Sequence, residues 1–243
     1  RSNCPAPGTR CVRFDAIAGV FLLACGGLMV GYHMLSSQML LFGSFEHQNI
    51  HLAFLLSLVF LQGLRSARSS AGRIWNLALL AAGLLVTGYV GLNLEHLEEA
   101  FGYPDPLDMA IGLLLIGLVM EGTRQAWGWT LPLVASAFIA YFIWGHHIAG
   151  PLYHKPFDLD YVVSYLSIGL SGVYGTFLSI SANQIFLFVV FGALLGVMNV
   201  TDALNELGKL AGRRLSGGPG QTAVISSSLV GMVTGASVAN VAI

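Results

Sequence analysis

The fold of this chain is decided by long stretches without charge, such as residues 184–200, which read QIFLFVVFGALLGVMNV. A helix that crosses a bilayer needs about 20 mostly apolar residues. Stretches of this kind recur along the chain, and they predict an all-α, polytopic bundle of transmembrane helices. The six predicted spans are residues 14–41, 50–64, 74–94, 107–120, 127–144 and 184–200.

The composition agrees with a membrane protein and excludes several other classes. Of the 243 residues, 55% are hydrophobic and only 9% are charged, whereas a soluble domain carries about 25% charged residues. The net charge of −1 leaves no basic surface for a nucleic acid. No motif of a soluble enzyme, such as a phosphate-binding loop or a nucleophile elbow, occurs in the sequence.

Three regions depart from simple spans. The first stretch is expected to be tilted or broken near Tyr32 and His33. Residues 157–182 mix Tyr, Ser and Gly, which predicts an interfacial helix followed by a partial or re-entrant helix. Residues 201–215 predict an amphipathic interfacial helix capped by Thr201, with acidic residues early and basic residues late. The glycines and proline of residues 216–220 then turn the chain back into the membrane.

Lysine and arginine alternate between the predicted loops, and this alternation sets the orientation. Basic residues precede the first span, separate the second from the third, and follow the fourth and the sixth. The loop between the third and fourth spans carries only acidic charges, Glu95, Glu98, Glu99 and Asp105. The amino terminus is therefore predicted to be cytoplasmic and the acidic loop to lie outside.

Residues 231–240 combine two glycines with hydroxyl and amide side chains in an apolar setting. Small residues that interrupt a helix at membrane depth free backbone carbonyls, and these oxygens suit a hard cation such as sodium. Close helix packing through Gly231 and Gly235 is the alternative, and the residues alone favour it.

Other polar groups have a plain interpretation beside a functional one. His33 is predicted to be a hydrogen-bonded packing histidine, although ionisable groups within a span are often functional. His47 and His51 are expected to be interfacial anchors, with a proton relay as the alternative. Glu121 and Arg124 are spaced to pair on one helix face as a packing latch. The loop histidines with Asp158 and Asp160 match no zinc spacing: His146, His147 and His154.

Six stretches stand out when they are taken in order: residues 50–54, 104–108, 121–124, 183–193, 217–224 and 234–240. Together they resemble the fused membrane subunit of TRAP transporters of the TAXI type. That family reads Gly-Gly-Pro-Ala and then Ser-Gly-Ser-Ala-Val-Ala-Asn, where this chain has Thr for the first Ser and exchanges the Ser-Ala order.

The resemblance implies an elevator-type transporter fold, present here in part. Residues 1–126 would form the small four-helix region, and residues 127–243 the amino-terminal part of the large transport subunit, cut within its first re-entrant hairpin. The hairpin tip would line a sodium and substrate site, which carries over onto Thr234, Gly235, Ser237 and Asn240. No cofactor is implied other than Na⁺ as the coupling ion.

The resemblance also implies partners and a location. A periplasmic TAXI-type substrate-binding protein would deliver an organic acid, such as a dicarboxylate, keto acid or amino acid, to a multi-pass permease in the inner membrane of a bacterium or archaeon. Sodium rather than ATP would drive uptake. Two rival hypotheses are a membrane scaffold without a transport path and an intramembrane enzyme that uses the histidines.

Overall fold

The computed structural model describes residues 9–39, 41–169, 172–212 and 218–234. The chain forms two compact units, residues 1–179 and residues 180–243. In the first unit the helices are α1 Thr9–Ser36, α2 Ser44–Ser66, α3 Ser70–Leu92, α4 Leu94–Glu99, α5 Pro106–Trp127, α6 Thr130–Trp144 and α7 Leu159–Ser167, with one 3₁₀ turn at Gly145–His147. All regular elements in the described residues are helical, as predicted.

A long helix begins at the end of the first unit and continues into the second. Its parts are α8 Thr176–Ile180, a π-helical turn at Ser181–Ile185 and α9 Phe186–Val197. The second unit then continues with α10 Val200–Gly212 and α11 Gly218–Thr234. The predicted sixth span therefore begins at Thr176 rather than at 184, so part of the segment 157–182 belongs to the span.

Five helices in the described residues are long and apolar enough to cross a membrane. They are Ile17–Ser36, Ser44–Ser66, Ser70–Leu92, Pro106–Trp127 and Thr176–Val197. The helix predicted over 127–144 is present as α6, but its 15 residues span about 22 Å, less than the roughly 30 Å of a hydrocarbon core. The break expected near Tyr32 and His33 is wrong, because α1 continues to Ser36.

Local signals explain where several helices begin and end. The Ser69 side chain accepts a 3.1 Å hydrogen bond from the Gly72 amide and caps α3. Asp105 precedes α5 and Pro106 is its first residue, as the proline signal predicts. Gly128 ends α5 with φ +82°, a conformation that favours glycine. The cap predicted at Thr201 is wrong: α10 begins at Val200, and Asn199 before it has φ 56°.

The core of the first unit lies between α2, α3 and α5. On α2 its members recur every fourth residue, which places Leu52, Leu56 and Phe60 on one face. Gly83 of α3 and Gly122 of α5 lie against Leu56 and Phe60, so small residues let three helices approach closely. The outward faces remain apolar, as expected of helices that contact lipid.

Candidate functional site

The described part of the second unit contains a closely packed helix pair. A methyl group added to Gly208 of α10 would lie 2.9 Å from Cα and 3.0 Å from Cβ of Ser226 in α11. Ser226 is buried. The two helices therefore meet backbone to backbone at this glycine. The turn predicted over residues 216–220 is wrong for residues 218–220, because α11 begins at Gly218 and these residues form its first turn.

The four residues predicted to hold sodium lie at or beyond the end of α11. Thr234 is the last residue of α11. Gly235, Ser237 and Asn240 lie outside the described residues. The ligand set therefore stays a prediction, with only the helix that leads to it described.

The π-helical turn is a polar interruption that the sequence analysis missed. It places Ser181, Asn183 and Gln184 within a span that is apolar from Ile185 onward, and the Phe186 amide donates to the Ser181 carbonyl five residues earlier. Such turns occur in a helix frequently at functional sites, because the extra residue redirects side chains and backbone carbonyls. The only signal in the sequence was the polar stretch itself.

The segment between α7 and α8 is anchored in the core of the first unit. Tyr174 is 1% exposed and its ring stacks on Phe45 with 4.4 Å between centroids. Its hydroxyl donates to Asn49 Oδ1 at 2.7 Å. Asn49 Nδ2 in turn donates to the Thr87 carbonyl at 2.8 Å. Burial raises the pKa of the Tyr174 hydroxyl, so this group stays a neutral donor.

One family of known proteins matches the second half of the chain. The family of the tripartite ATP-independent periplasmic transporter, DctM component, matches residues 114–243. The chain belongs to this family. No curated protein and no solved structure matches the chain.

Membership makes the chain a membrane component of a TRAP transporter. DctM proteins are transporter components rather than enzymes. The matched region begins within α5 and contains α6 to α11 together with the predicted sodium residues. The Tyr174 anchor thus joins the DctM-like region to α2, which precedes that region. The division of the chain at residues 126 and 127 stays a prediction.

The amino-terminal part of this DctM-family chain contains a connected group of histidines. His33 Nδ1 lies 2.8 Å from the Met29 carbonyl and therefore carries the proton, so its Nε2 accepts from His51 Nδ1 at 2.9 Å. His47 Nδ1 lies 2.9 Å from the Tyr32 hydroxyl. His33 is a hydrogen-bonded packing histidine, as predicted. The interpretation of His47 and His51 as interfacial anchors is wrong, since they are only 7% and 1% exposed.

The expected latch at the end of α5 is present. Arg124 Nε and Nη2 bind the two Glu121 carboxylate oxygens at 2.6 and 2.7 Å. Gln125 Nε2 donates to the same carboxylate at 2.9 Å, and the Trp75 indole approaches it at 3.4 Å. Glu121 thus links α5 to the start of α3.

At the opposite end of α3, a second polar cluster surrounds Asp108. The Tyr89 hydroxyl donates to Asp108 Oδ1 at 2.7 Å, and His96 Nε2 lies 3.1 Å from Oδ2. His96, Asp105 and Asp108 bring one ligand atom each within 4.8 Å of one another. Asp108 is buried while Asp105 is exposed. The spacing of these residues in the sequence did not reveal the cluster, because its members come from α3, α4 and the start of α5.

The loop histidines have separate surroundings. His154 places both ring nitrogens against carbonyl oxygens, Nε2 at 3.0 Å from Tyr141 and Nδ1 at 2.7 Å from Lys155. Both nitrogens can donate only when the ring is protonated, so the two carbonyls raise the pKa of His154. The Tyr141 carbonyl has the larger effect and the Lys155 carbonyl the smaller. His147 is exposed and His146 half-buried.

Proposed function

We propose that the chain is the membrane permease of a sodium-driven, binding-protein-dependent TRAP-type transporter that imports organic acids. The observation that carries the proposal is the DctM match over residues 114–243, which includes α11 and the Thr-Gly-Ala-Ser-Val-Ala-Asn stretch after it. Helices interrupted at membrane depth hold coupling ions in secondary transporters through freed carbonyls and side-chain oxygens. Thr234, Gly235, Ser237 and Asn240 supply such groups.

The π-helical turn offers a second set of polar groups to the transport of the organic acid. Ser181 and Asn183 lie in the unit that also contains α11. An organic acid that crosses a hydrocarbon layer must exchange its water for hydroxyl and amide partners. We assign the turn to the polar lining of the transport path.

We assign residues 1–126 to a scaffold and residues 127–243 to the transport subunit of a fused, TAXI-type protein. The bond from the buried Tyr174 to Asn49 supports a fixed attachment of the segment before α8 to the scaffold. The scaffold and this segment would remain fixed while the part of the transport region that follows them moves.

The distribution of charge supports an amino terminus in the cytoplasm of a bacterial or archaeal cell. The Trp75–Glu121 contact brings the start of α3 to the end of α5, and basic residues gather there. The Tyr89–Asp108 contact brings the other ends together. The end of the bundle that contains Tyr89 and Asp108 also carries the exposed Glu95, Glu98 and Glu99. These residues would face the periplasm and a TAXI-type binding protein.

Sodium-driven uptake by the full-length transporter in proteoliposomes tests the proposal. With a purified binding protein, Ser237→Ala and Asn240→Ala should each raise the sodium concentration needed for half-maximal uptake. Ser228→Ala, at an exposed position of α11, is the matched control and should leave it unchanged. Unaltered sodium dependence in both variants would remove the site assignment. Uptake without a sodium gradient would overturn the coupling itself.

A further inference from the structure

A cavity of about 800 Å³ opens where α2 ends, α3 begins and α5 ends. Its walls are apolar on the side of Leu22, Leu58 and Val59 and polar on the side of Asn76 and Gln125. The Arg124 side chain also lines it. A cavity with one polar and one apolar wall at the end of transmembrane helices lies where lipid headgroups meet acyl chains.

Two amide oxygens converge on one point of this cavity. Asn76 Nδ2 donates to the Gly72 carbonyl at 2.9 Å, and Gln125 Nε2 donates to Glu121 at 2.9 Å. These two bonds fix both amide groups, so the carbonyl oxygen of each points the other way. Both oxygens would overlap a methyl group placed on Gly63. They therefore lie close together beside the Gly63 Cα, where any side chain larger than that of glycine would displace them.

One oxygen of this pair, that of Asn76, lacks a donor among the described residues. Asn76 is 7% exposed, and its Oδ1 has no hydrogen-bond partner in the part of the chain that the structure describes. A buried acceptor without a donor costs about 1–3 kcal/mol. Because a second acceptor lies beside it, a ligand that carries at least two N–H or O–H groups would satisfy both oxygens at once.

Arg124 supplies the opposite charge in the same cavity. Glu121 takes the Nε–H and one Nη2–H of its guanidinium, which leaves three of the five N–H groups for another acceptor. Guanidinium groups bind phosphate well. An acceptor pair, a guanidinium and an apolar wall are thus placed side by side.

We propose that this cavity binds one phosphatidylethanolamine molecule. Its ammonium would donate to Asn76 Oδ1 and Gln125 Oε1, its phosphate would accept from Arg124, and an acyl chain would lie along Leu22, Leu58 and Val59. The positive ammonium of this headgroup matches the pair of amide oxygens, and its negative phosphate matches the Arg124 guanidinium. Phosphatidylcholine has the same phosphate but no N–H group, so it would leave both amide oxygens unsatisfied.

The test is lipid binding to the purified, delipidated protein, measured by native mass spectrometry with headgroups that differ only in N-methylation. Two acceptors need two donors, so phosphatidylethanolamine and its monomethyl form should bind about tenfold more tightly than the dimethyl form, a factor expected from one lost hydrogen bond. Phosphatidylcholine, which loses both hydrogen bonds, should bind more weakly still. Asn76→Leu should remove the preference.

Asn93→Leu is the matched control, because Asn93 also donates to the carbonyl four residues before it, that of Tyr89, but at the far end of α3. It should keep the preference. Equal binding of all four headgroups by the unmodified protein would overturn the proposal. So would a preference that survives Asn76→Leu. If Asn76→Leu does not fold, the headgroup series still decides. None of these readouts depends on transport.

Discussion

The Tyr174 hydroxyl donates a 2.7 Å hydrogen bond to Asn49 Oδ1 across 125 positions of sequence. Both residues are buried, and the Asn49 amide continues the chain of bonds to the Thr87 carbonyl. The loop before the fifth membrane-spanning helix is thereby held by the core of α2 and α3. The sequence around Tyr174 does not predict that this tyrosine is buried.

Tyr174→Phe should destabilise the first unit. The change leaves Asn49 Oδ1 without its donor in a buried position, which costs about 1–3 kcal/mol, while the ring still stacks on Phe45. The expected result is a lower unfolding midpoint in detergent. Tyr103→Phe, at a position that is 90% exposed, should leave the midpoint unchanged. Equal midpoints for both variants would show that the bond contributes nothing.

The spans were predictable because hydropathy is a local property of the chain. The points where α3 and α5 begin also follow from local signals, namely the capping residue Ser69 and the first-turn residue Pro106. The histidine group was not predictable, because the contact between His33 and His51 depends on which faces of α1 and α2 meet. The polar stretch at residues 181–184 does not by itself predict the π-helical turn, since one extra residue per turn changes hydrogen bonding but not composition.

The polar groups of the candidate site also include some that the sequence predicts and some that it does not. The Glu121–Arg124 pair follows from helical spacing alone. The convergence of Asn76 and Gln125 on Gly63 does not, because it needs three helices packed in one register. The choice of the four predicted sodium residues rests on the resemblance to a family, because the polar groups of residues 231–240 alone favour close helix packing.

Glu121→Gln should lower stability by about 2 kcal/mol, because it replaces charge-assisted hydrogen bonds from Arg124 with a neutral contact. Chemical unfolding of lipid-free protein in detergent measures the change. Glu206→Gln in α10 is the matched control: its partner Lys209 is also three residues away, but both side chains are exposed, 72% and 59%. Such exposed pairs contribute about 0–1 kcal/mol. A loss as large in the control would contradict the latch.

His154 should titrate above the ordinary histidine value of 6.5, because its protonated ring donates to the Tyr141 and Lys155 carbonyls. A raised folded pKa means that its stabilising contribution is complete below pH 6.5 and is lost as the pH rises through the folded value. The loop at His154 should therefore be held more firmly against α6 at pH 6 than at pH 8.

NMR titration of labelled histidine measures this midpoint, with His154→Gln to assign the signal. The same histidine in the denatured chain provides the reference. A folded midpoint at or below that of the denatured chain would contradict the two hydrogen bonds. The Tyr141 hydroxyl, which donates to the Leu152 carbonyl at 2.7 Å, should hold the neighbouring residues at either pH.

Gly208→Ala should loosen the α10–α11 pair. The added methyl group would lie 2.9 Å from the Ser226 Cα, a backbone atom that cannot move aside alone, and overpacking of this kind costs about 1–3 kcal/mol. Hydrogen–deuterium exchange of residues 218–234 should rise about tenfold or more, since 1.4 kcal/mol corresponds to a factor of ten.

Gly220→Ala is the matched control, because a methyl group there meets nothing within 4 Å. Alanine favours helix over glycine by about 1 kcal/mol, so exchange in α11 should stay the same or fall. Each substitution adds one methyl group to the α10–α11 pair. The methyl group contacts Ser226 at position 208 and nothing within 4 Å at position 220. If both leave exchange unchanged, close packing at Gly208 does not hold α11 in place, and the helix that leads to Thr234 must be positioned by other contacts.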